Sequence, residues 1–398
     1  MRRVRPATFA GFLALAVAVS AQPTGDLVAV PQSEIPLSLR KEAEAALQRG
    51  AAYLIKTQQT DGSWRDFAAI TALAGIALHG CNLPDGELAR RIAVEKARQR
   101  VLASVQPDGA ICPPNRMYAN YSTSVCLAGL AVFGLPEDAE VMRQARCYLI
   151  GQQLDRDHPD QPVDEDSASY GGFGYGGQNR APRGGRQAED RADLSCTQWA
   201  LEALYLTDHL DRTPEASDRE AKEADLCWEK ALVFLGRVQN LEQTGASQWI
   251  VTAEKDGGFT YLPAREGQTD ASYGSMTYAG LKSMIYAKLE RDDPRVRAAL
   301  DWVRQRYSVD ENPGQEANGL YYYLHTMTKA LAVWGGDELE DKDGKRHNWR
   351  ADVVRKLVSS QKGEGEWANE HSARWQESDP QLVTAYAMIT LEIALADR

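Results

Sequence analysis

The sequence predicts an all-α protein, an α/α toroid of about six helical hairpins arranged as inner and outer helix rings. Three observations carry that expectation: a recurring Gln/Gly/aromatic turn, a helical segment on either side of each turn, and a contrast in charge between the two segments. Gln58-Gln59-Thr60-Asp61-Gly62-Ser63-Trp64 is echoed at Gln106-Pro107-Asp108-Gly109 and at Gln361-Lys362-Gly363-Glu364-Gly365-Glu366-Trp367. Looser echoes stand at Gly171-Gly172-Phe173-Gly174-Tyr175 and Asp256-Gly257-Gly258-Phe259-Thr260-Tyr261. A unit repeated in this way cannot bury its apolar face alone, so its neighbours must complete the core.

Taken in order, the first residues stand apart from the repeats. Arg2, Arg3 and Arg5 precede the apolar stretch 9–19, and Val19-Ser20-Ala21 offers small residues for cleavage. Residues 1–21 therefore read as a secretory signal, too short to span and stop in a bilayer. The expectation is an exported protein, periplasmic or secreted after cleavage near Ala21. Residues 22–41 read as a linker and 42–398 as the toroid domain, with a polar insertion at 155–193.

The outer helices are expected at 42–57, 92–105, 139–153, 224–239, 294–307 and 350–361, where Arg, Lys and Glu alternate with Ala, Leu and Val at helical spacing. Their partners are expected at 67–79, 122–133, 194–207, 271–287, 320–334 and 380–396. These are poor in charge and rich in Ala, Gly, Ser and Thr, as suits helices buried nearly all round. The turns have a structural job. Gly62 and Gly365 can take a positive φ, Trp64 and Trp367 can pack over the helix just left, and Gln58 and Gln361 can bond unpaired helix-end carbonyls.

The chain carries 56 Asp+Glu against 45 Lys+Arg, a net charge of −11, which argues against nucleic acid and against anionic membranes. No later segment reads as a transmembrane span. The six cysteines permit disulfides in an exported chain, but Cys126, Cys147 and Cys196 sit in helical stretches as small buried hydrophobes would.

The Gln-x-x-x-Gly-x-Trp pattern at Gln58/Gly62/Trp64 and Gln361/Gly365/Trp367 resembles the repeat of terpenoid cyclases and protein prenyltransferase β subunits. The resemblance covers the chain from about Ala43 onward, and is greatest to exported bacterial proteins of the prenyltransferase/squalene oxidase repeat type. It implies a toroid with a ligand in its central cavity. The chemistry of the resembled families is not intact. Squalene–hopene type cyclases use a D-x-D-D acid; Asp164-Glu165-Asp166-Ser167 comes nearest in sequence, and Asp193 stands in the more comparable place without neighbouring carboxylates. Thr269-Asp270-Ala271-Ser272-Tyr273 resembles the D-x-C-Y zinc element of the prenyltransferases, but Ser272 replaces the cysteine, and a hydroxyl is a poor zinc ligand beside thiolate. Neither metal nor cofactor is expected. The Cys-Gly-Glu-Gln run of thioester domains is absent.

What remains is a polar and aromatic set on the last three inner helices. Asp270 and His325 are the candidate catalytic residues; Tyr273, Tyr278, Tyr321, Tyr322, Trp375 and Asp379 are the candidate ligand contacts. Tyr321, His325 and Lys329 recur four apart on one helical face. The N-terminal ends of the inner helices should gather at one rim, and their dipoles favour an anionic or hydroxyl-rich ligand there. Capping equally explains Asp270, Asp379, Asp66 and Asp193, a satisfied core histidine explains His325, and packing explains the tyrosines. The Gly171–177 stretch follows no strand and reads as a repeat turn, and the 155–193 insertion as a mobile flap. Three functions stay open: binding or turnover of an elongated, lipid-like isoprenoid ligand; processing of an extracellular glycan by a Tyr/His lyase mechanism; and a non-catalytic scaffold for an envelope protein partner.

Overall fold

The computed structural model describes residues 35–177, 191–212, 218–242, 255–263 and 271–396. The expected signal segment, its cleavage point near Ala21, Asp270 and residues 178–190 of the insertion lie outside them. The outer helices are α1 (Leu37–Thr57), α3 (Glu87–Leu102), α5 (Ala139–Gly151), α7 (Asp218–Val238), α9 (Pro294–Gln305) and α11 (Trp349–Ser360). The inner helices are α2 (Ala68–Gly80), α4 (Ala119–Phe133), α6 (Leu194–Leu206), α8 (Gly274–Tyr286), α10 (Leu320–Trp334) and α12 (Pro380–Leu395). The one hairpin among the described residues pairs β1 (Glu338–Glu340) with β2 (Arg346–Asn348), Glu338 opposite Asn348.

Each inner helix packs on the next, α2 on α4, α4 on α6, α6 on α8, α8 on α10 and α10 on α12, and α12 returns to α2. The ring is closed. Burial follows the charge pattern. In α2 every residue from Ala68 to Leu78 is buried, whereas α1 buries the stripe Leu39, Ala43, Ala46, Leu47, Gly50, Ala51 and Leu54. A full Leu burial contributes roughly 2 kcal/mol, so neither ring is stable without the other. The helix α1 starts at Leu37, inside the stretch read as linker, because Ile35 and Leu39 already join the core.

The glutamines make the turns cooperative. Gln58 Nε2 donates to Gly62 O at 3.0 Å and to Ala93 O of the next outer helix at 2.9 Å. Gln153 joins Gly171 O to Cys227 O, and Gln239 joins Gly257 O to Arg295 O. Gln361 donates to Gly365 O at 2.7 Å and to Ala46 O at 2.8 Å, tying the last unit to the first. Gln106 departs from this pattern and bonds Ser104 O and Cys112 O within its own turn. Gly62 has φ +88°, and a Cβ there would stand 2.5 Å from Lys96 O, so only glycine lets the turn dock. Trp64 and Trp367 donate to Leu54 O and Leu357 O of the helices they follow.

A further repeated element was not read from the sequence. Thr71, Thr123, Thr197, Thr277 and Thr384, early in five inner helices, accept the N–H of Trp64, Ile111, Phe173, Phe259 and Trp367 respectively. At the opposite ends, arginines cap the inner carbonyls. Arg90 donates to Leu78 O and His79 O, Arg146 to Leu204 O, Arg291 to Trp334 O, and Arg350 to Ile393 O. Cations at helix C-termini also complement the dipole.

The described part of the insertion does not behave as a free flap. Asp155 pairs with Lys230, and Arg237 donates to the carbonyls of Glu165, Ser167 and Tyr170. Phe173 is fully buried. Cys126 and Cys196 are buried as expected, and so are Cys81, Cys112 and Cys227, but Cys147, also expected to be buried, is exposed, since it falls on the solvent side of the outer helix α5.

Gln361→Ala strips the donors from two carbonyls at the closure between α11 and α1. It is expected to lower the unfolding free energy by about 1–3 kcal/mol, measured by denaturant unfolding. Gln106→Ala, which bridges no neighbour, should cost less.

Candidate functional site

The N-terminal ends of the inner helices share one rim. Arg65, just before α2, pairs with Asp379, just before α12, at 2.8 Å. Loops of one unit cap the inner helix of another: Tyr175 O accepts Asn120 N, Tyr261 O accepts Leu194 N, and Pro313 O accepts Gly274 N. The same loops bring their rings to the rim. Phe67 lies 6.3 Å from Tyr118, Tyr118 5.3 Å from Tyr175, and Tyr175 6.0 Å from Tyr121. Tyr261 Oη donates to Tyr175 Oη at 3.3 Å. Phe67, Tyr118, Tyr121, Tyr175, Tyr261, Ser195 and Tyr322 all keep partial exposure, so the rim is an aromatic mouth.

Below it the axis becomes polar on one side. Tyr322 Oη of α10 lies 3.0 Å from Ser195 Oγ and accepts from Gln198 Nε2 at 3.2 Å, both on α6 across the ring. One turn deeper, His325 stacks on Trp199 (centroids 5.7 Å, planes 26° apart) and tilts against Tyr386 at 5.1 Å. His325 is 1% exposed, and neither ring nitrogen has a hydrogen-bond partner among the described residues. Burial, with the charge of Lys329, pushes its pKa well below the usual imidazole range, so it is neutral. Buried polar groups are rarely left without partners. Deeper again, Glu202 of α6 accepts from Lys282 of α8 and Lys329 of α10, one ammonium on each oxygen. Lys282 also donates to Gln198 Oε1 at 2.5 Å. Burial pushes the Glu202 carboxyl up, but the two ammoniums outweigh it and hold it at about 2. Burial, with the repulsion of Lys329, brings Lys282 down to about 8 against the pull of Glu202.

The sequence candidates divide. Tyr322 and His325 face the axis. Tyr321 does not: its hydroxyl lies beside Ser360 of outer helix α11, so the axial face of α10 is Tyr322, His325 and Lys329 rather than Tyr321, His325 and Lys329. Tyr278 packs on Tyr323 at 5.7 Å, and Tyr323 donates outward to Ser308 O. Tyr273 is buried at the start of α8, its backbone against Gly314. Trp375 is 46% exposed and overlies Gly319 at the start of α10. Asp379 and Asp193 are helix caps, accepting Gln381 N and Cys196 N; Asp66 is not, and pairs with Arg100. Asp270 lies outside the described residues.

Of the residues resembling a zinc element, Ser272 and His325 are described and have different surroundings. Ser272 Oγ accepts from Asn240 Nδ2 and donates to Asp256 Oδ1, each at 2.7 Å, in the turn beneath outer helix α9. His325 is on the axis in an aromatic stack. Among the described residues no group of three or more His, Cys, Asp or Glu is placed to hold a metal ion. No helix of the described residues is long and apolar enough to cross a membrane.

Residues that the sequence reading passed over include Ser195, Gln198, Trp199, Glu202 and Tyr386, and the buried Glu377, whose Oε1 accepts Tyr322 N at 2.8 Å. A charged residue within the otherwise apolar run of α6 was the available signal for Glu202.

No family model matches the chain, and no curated protein sequence matches it. Solved structures do. A variant of the type II terpene cyclase MstE from Scytonema, in complex with geranylgeranyl dihydroxybenzoate as substrate, is 13% identical with a TM-score of 0.53, covering 91% of this chain and 99% of that one. A second variant of that cyclase, in complex with the product merosterolic acid A, is 14% identical with a TM-score of 0.52, covering 90% of this chain and 99% of that one. A possible member of the GH105 family from Klebsiella pneumoniae is 13% identical with a TM-score of 0.50, covering 95% of this chain and 98% of that one. At such identities the likeness is one of fold: the chain shares the α/α-toroid architecture of these proteins.

The axial ion pairs set a pH dependence. The folded pKa of Glu202, about 2, lies below its ordinary 4.5. Its contribution is therefore fully present above pH 4.5 and is lost as pH falls toward 2. Between pH 6 and pH 3 the unfolding free energy of the native protein should drop by roughly 2 kcal/mol more than that of Glu202→Gln. Denaturant unfolding at the two pH values measures the difference.

Proposed function

We propose that the protein binds an elongated ligand with an apolar body, of isoprenoid type, entered through the aromatic mouth and held along the ring axis. The observation that carries this reading is His325, buried, neutral and without a hydrogen-bond partner among the described residues, stacked on Trp199 and tilted against Tyr386. Leaving such a group unpaired costs about 1–3 kcal/mol, a cost that a ligand polar group on the axis would remove. The MstE structures support the choice of ligand class, since that toroid takes a geranylgeranyl substrate.

The reading is one of binding rather than acid-initiated cyclisation. Glu202 is held ionised between two lysines, and an ionised acid cannot protonate an alkene. A second reading, glycan processing, draws on Tyr322 and His325 as a hydroxyl and imidazole three residues apart on one helical face. A paired-carboxylate hydrolysis finds no support on the axis.

Native mass spectrometry of the protein from its own host is expected to show a bound lipid of isoprenoid mass. His325→Phe should weaken geranylgeraniol binding at least tenfold. It should leave thermal stability unchanged or raised by about 1 kcal/mol, because it removes an unpaired buried polar group. A destabilised variant with unchanged binding would make His325 a structural residue. Absence of lipid, with unsaturated products from uronic-acid polymers, would transfer the site to the glycan reading.

A further inference from the structure

We propose that Lys329, backed by Glu202 and Lys282, is the anion-binding end of the axial site and takes a carboxylate carried by the ligand. The inference deepens the binding reading and rests on it for the ligand's apolar body. The triad holds two ammoniums and one carboxylate, and its other neighbours, Gln198 and His325, are neutral. One positive charge is left over, deep inside a chain whose net charge is −11.

Of the two ammoniums, that of Lys329 is the more accessible. Lys282 keeps 1% of its side-chain surface accessible and uses its ammonium on Glu202 and Gln198. Lys329 keeps 15% accessible, makes a hydrogen bond to Glu202 alone, and stands over the Trp199 ring at 4.9 Å. An ammonium has three donors, so Lys329 retains N–H groups beyond the one given to Glu202. His325 lies one turn above it with both nitrogens unbonded. A carboxylate there could accept one hydrogen bond from Lys329 and one from the His325 N–H, removing both the excess charge and the unpaired imidazole. Such charge-assisted bonds are the strong kind.

Charge count selects the anion. A single surplus charge matches a carboxylate, whereas a diphosphate would bring more negative charge into a buried site than one lysine can neutralise. The axial face from Tyr322 to Lys329 spans seven residues, roughly 10 Å along the helix. A ligand with its carboxylate on Lys329 would thus lay its chain past Trp199 and Tyr386 toward the mouth.

Isothermal titration of the full chain with geranylgeranoic acid, geranylgeraniol, geranylgeranyl diphosphate and benzoate tests this. The acid should bind at least tenfold tighter than the alcohol and tighter than the diphosphate, and Lys329→Met should bring acid and alcohol within twofold. The comparison among ligands on the unmodified protein stands even if that variant fails to fold. Equal affinity for acid and alcohol, a preference for the diphosphate, or an acid preference that survives in Lys329→Met overturns the proposal while leaving isoprenoid binding in place. Benzoate binding that depends on Lys329, with no binding of either chain, upholds the anion site and removes the isoprenoid reading. No binding of any of the four overturns both.

Discussion

The structure depends on a side-chain amide that belongs to two units at once. Gln58, Gln153, Gln239 and Gln361 each satisfy the carbonyl of their own turn and a carbonyl of a neighbouring outer helix. Because the Gln361 bond reaches Ala46, the series of bridges joins its own beginning. That arrangement makes stability a property of the ring rather than of any hairpin, as in repeat proteins generally, with the difference that here there are no exposed terminal units. The Thr-to-aromatic bonds do the same work inside: each fixes a turn on the inner helix that follows it, so the inner helices are placed by hydrogen bonds as well as by packing.

Closure has a consequence for chemistry. Six helices pointing the same way put all their N-termini on one rim and all their C-termini on the other. At the C-terminal rim, arginines on or just before the outer helices bond the end carbonyls of four inner helices. The N-terminal rim is instead dressed with tyrosines carried by the turns, whose backbone carbonyls occupy the helix N–H groups. The helix ends are therefore largely satisfied, and the rim offers ring faces and hydroxyls more than bare dipoles. Burial pushes the phenols of Tyr121, Tyr175, Tyr261 and Tyr322 up, Tyr121 to about 12, so these four are neutral.

Along the axis, one wall carries Ser195, Gln198, Glu202, Lys282, Tyr322, His325 and Lys329, drawn from α6, α8 and α10. Six of these seven side chains are hydrogen-bonded to one another or to a neighbour, whereas His325 and the Nε1 of the Trp199 ring it stacks on have no partner among the described residues.

The sequence by itself determined the architecture. Charge contrast between successive helices separated the outer ring from the inner, and the Gln/Gly/Trp turns located their joints to within a few residues, because both signals are local and repeated. Leu320–Trp334 was legible end to end. Which face of an inner helix meets the axis was a matter for the tertiary structure. Helical spacing shows that Tyr321 and His325 are neighbours and that Tyr322 and His325 are neighbours, yet a helix buried on all sides has no amphipathic stripe to say which pair turns inward. Ring closure decides it, setting Tyr322 against Ser195 and sending Tyr321 toward Ser360. The Glu202–Lys282–Lys329 cluster was hidden for the same reason: its members come from three repeats, and only the packing of α6, α8 and α10 around one axis brings their charges together.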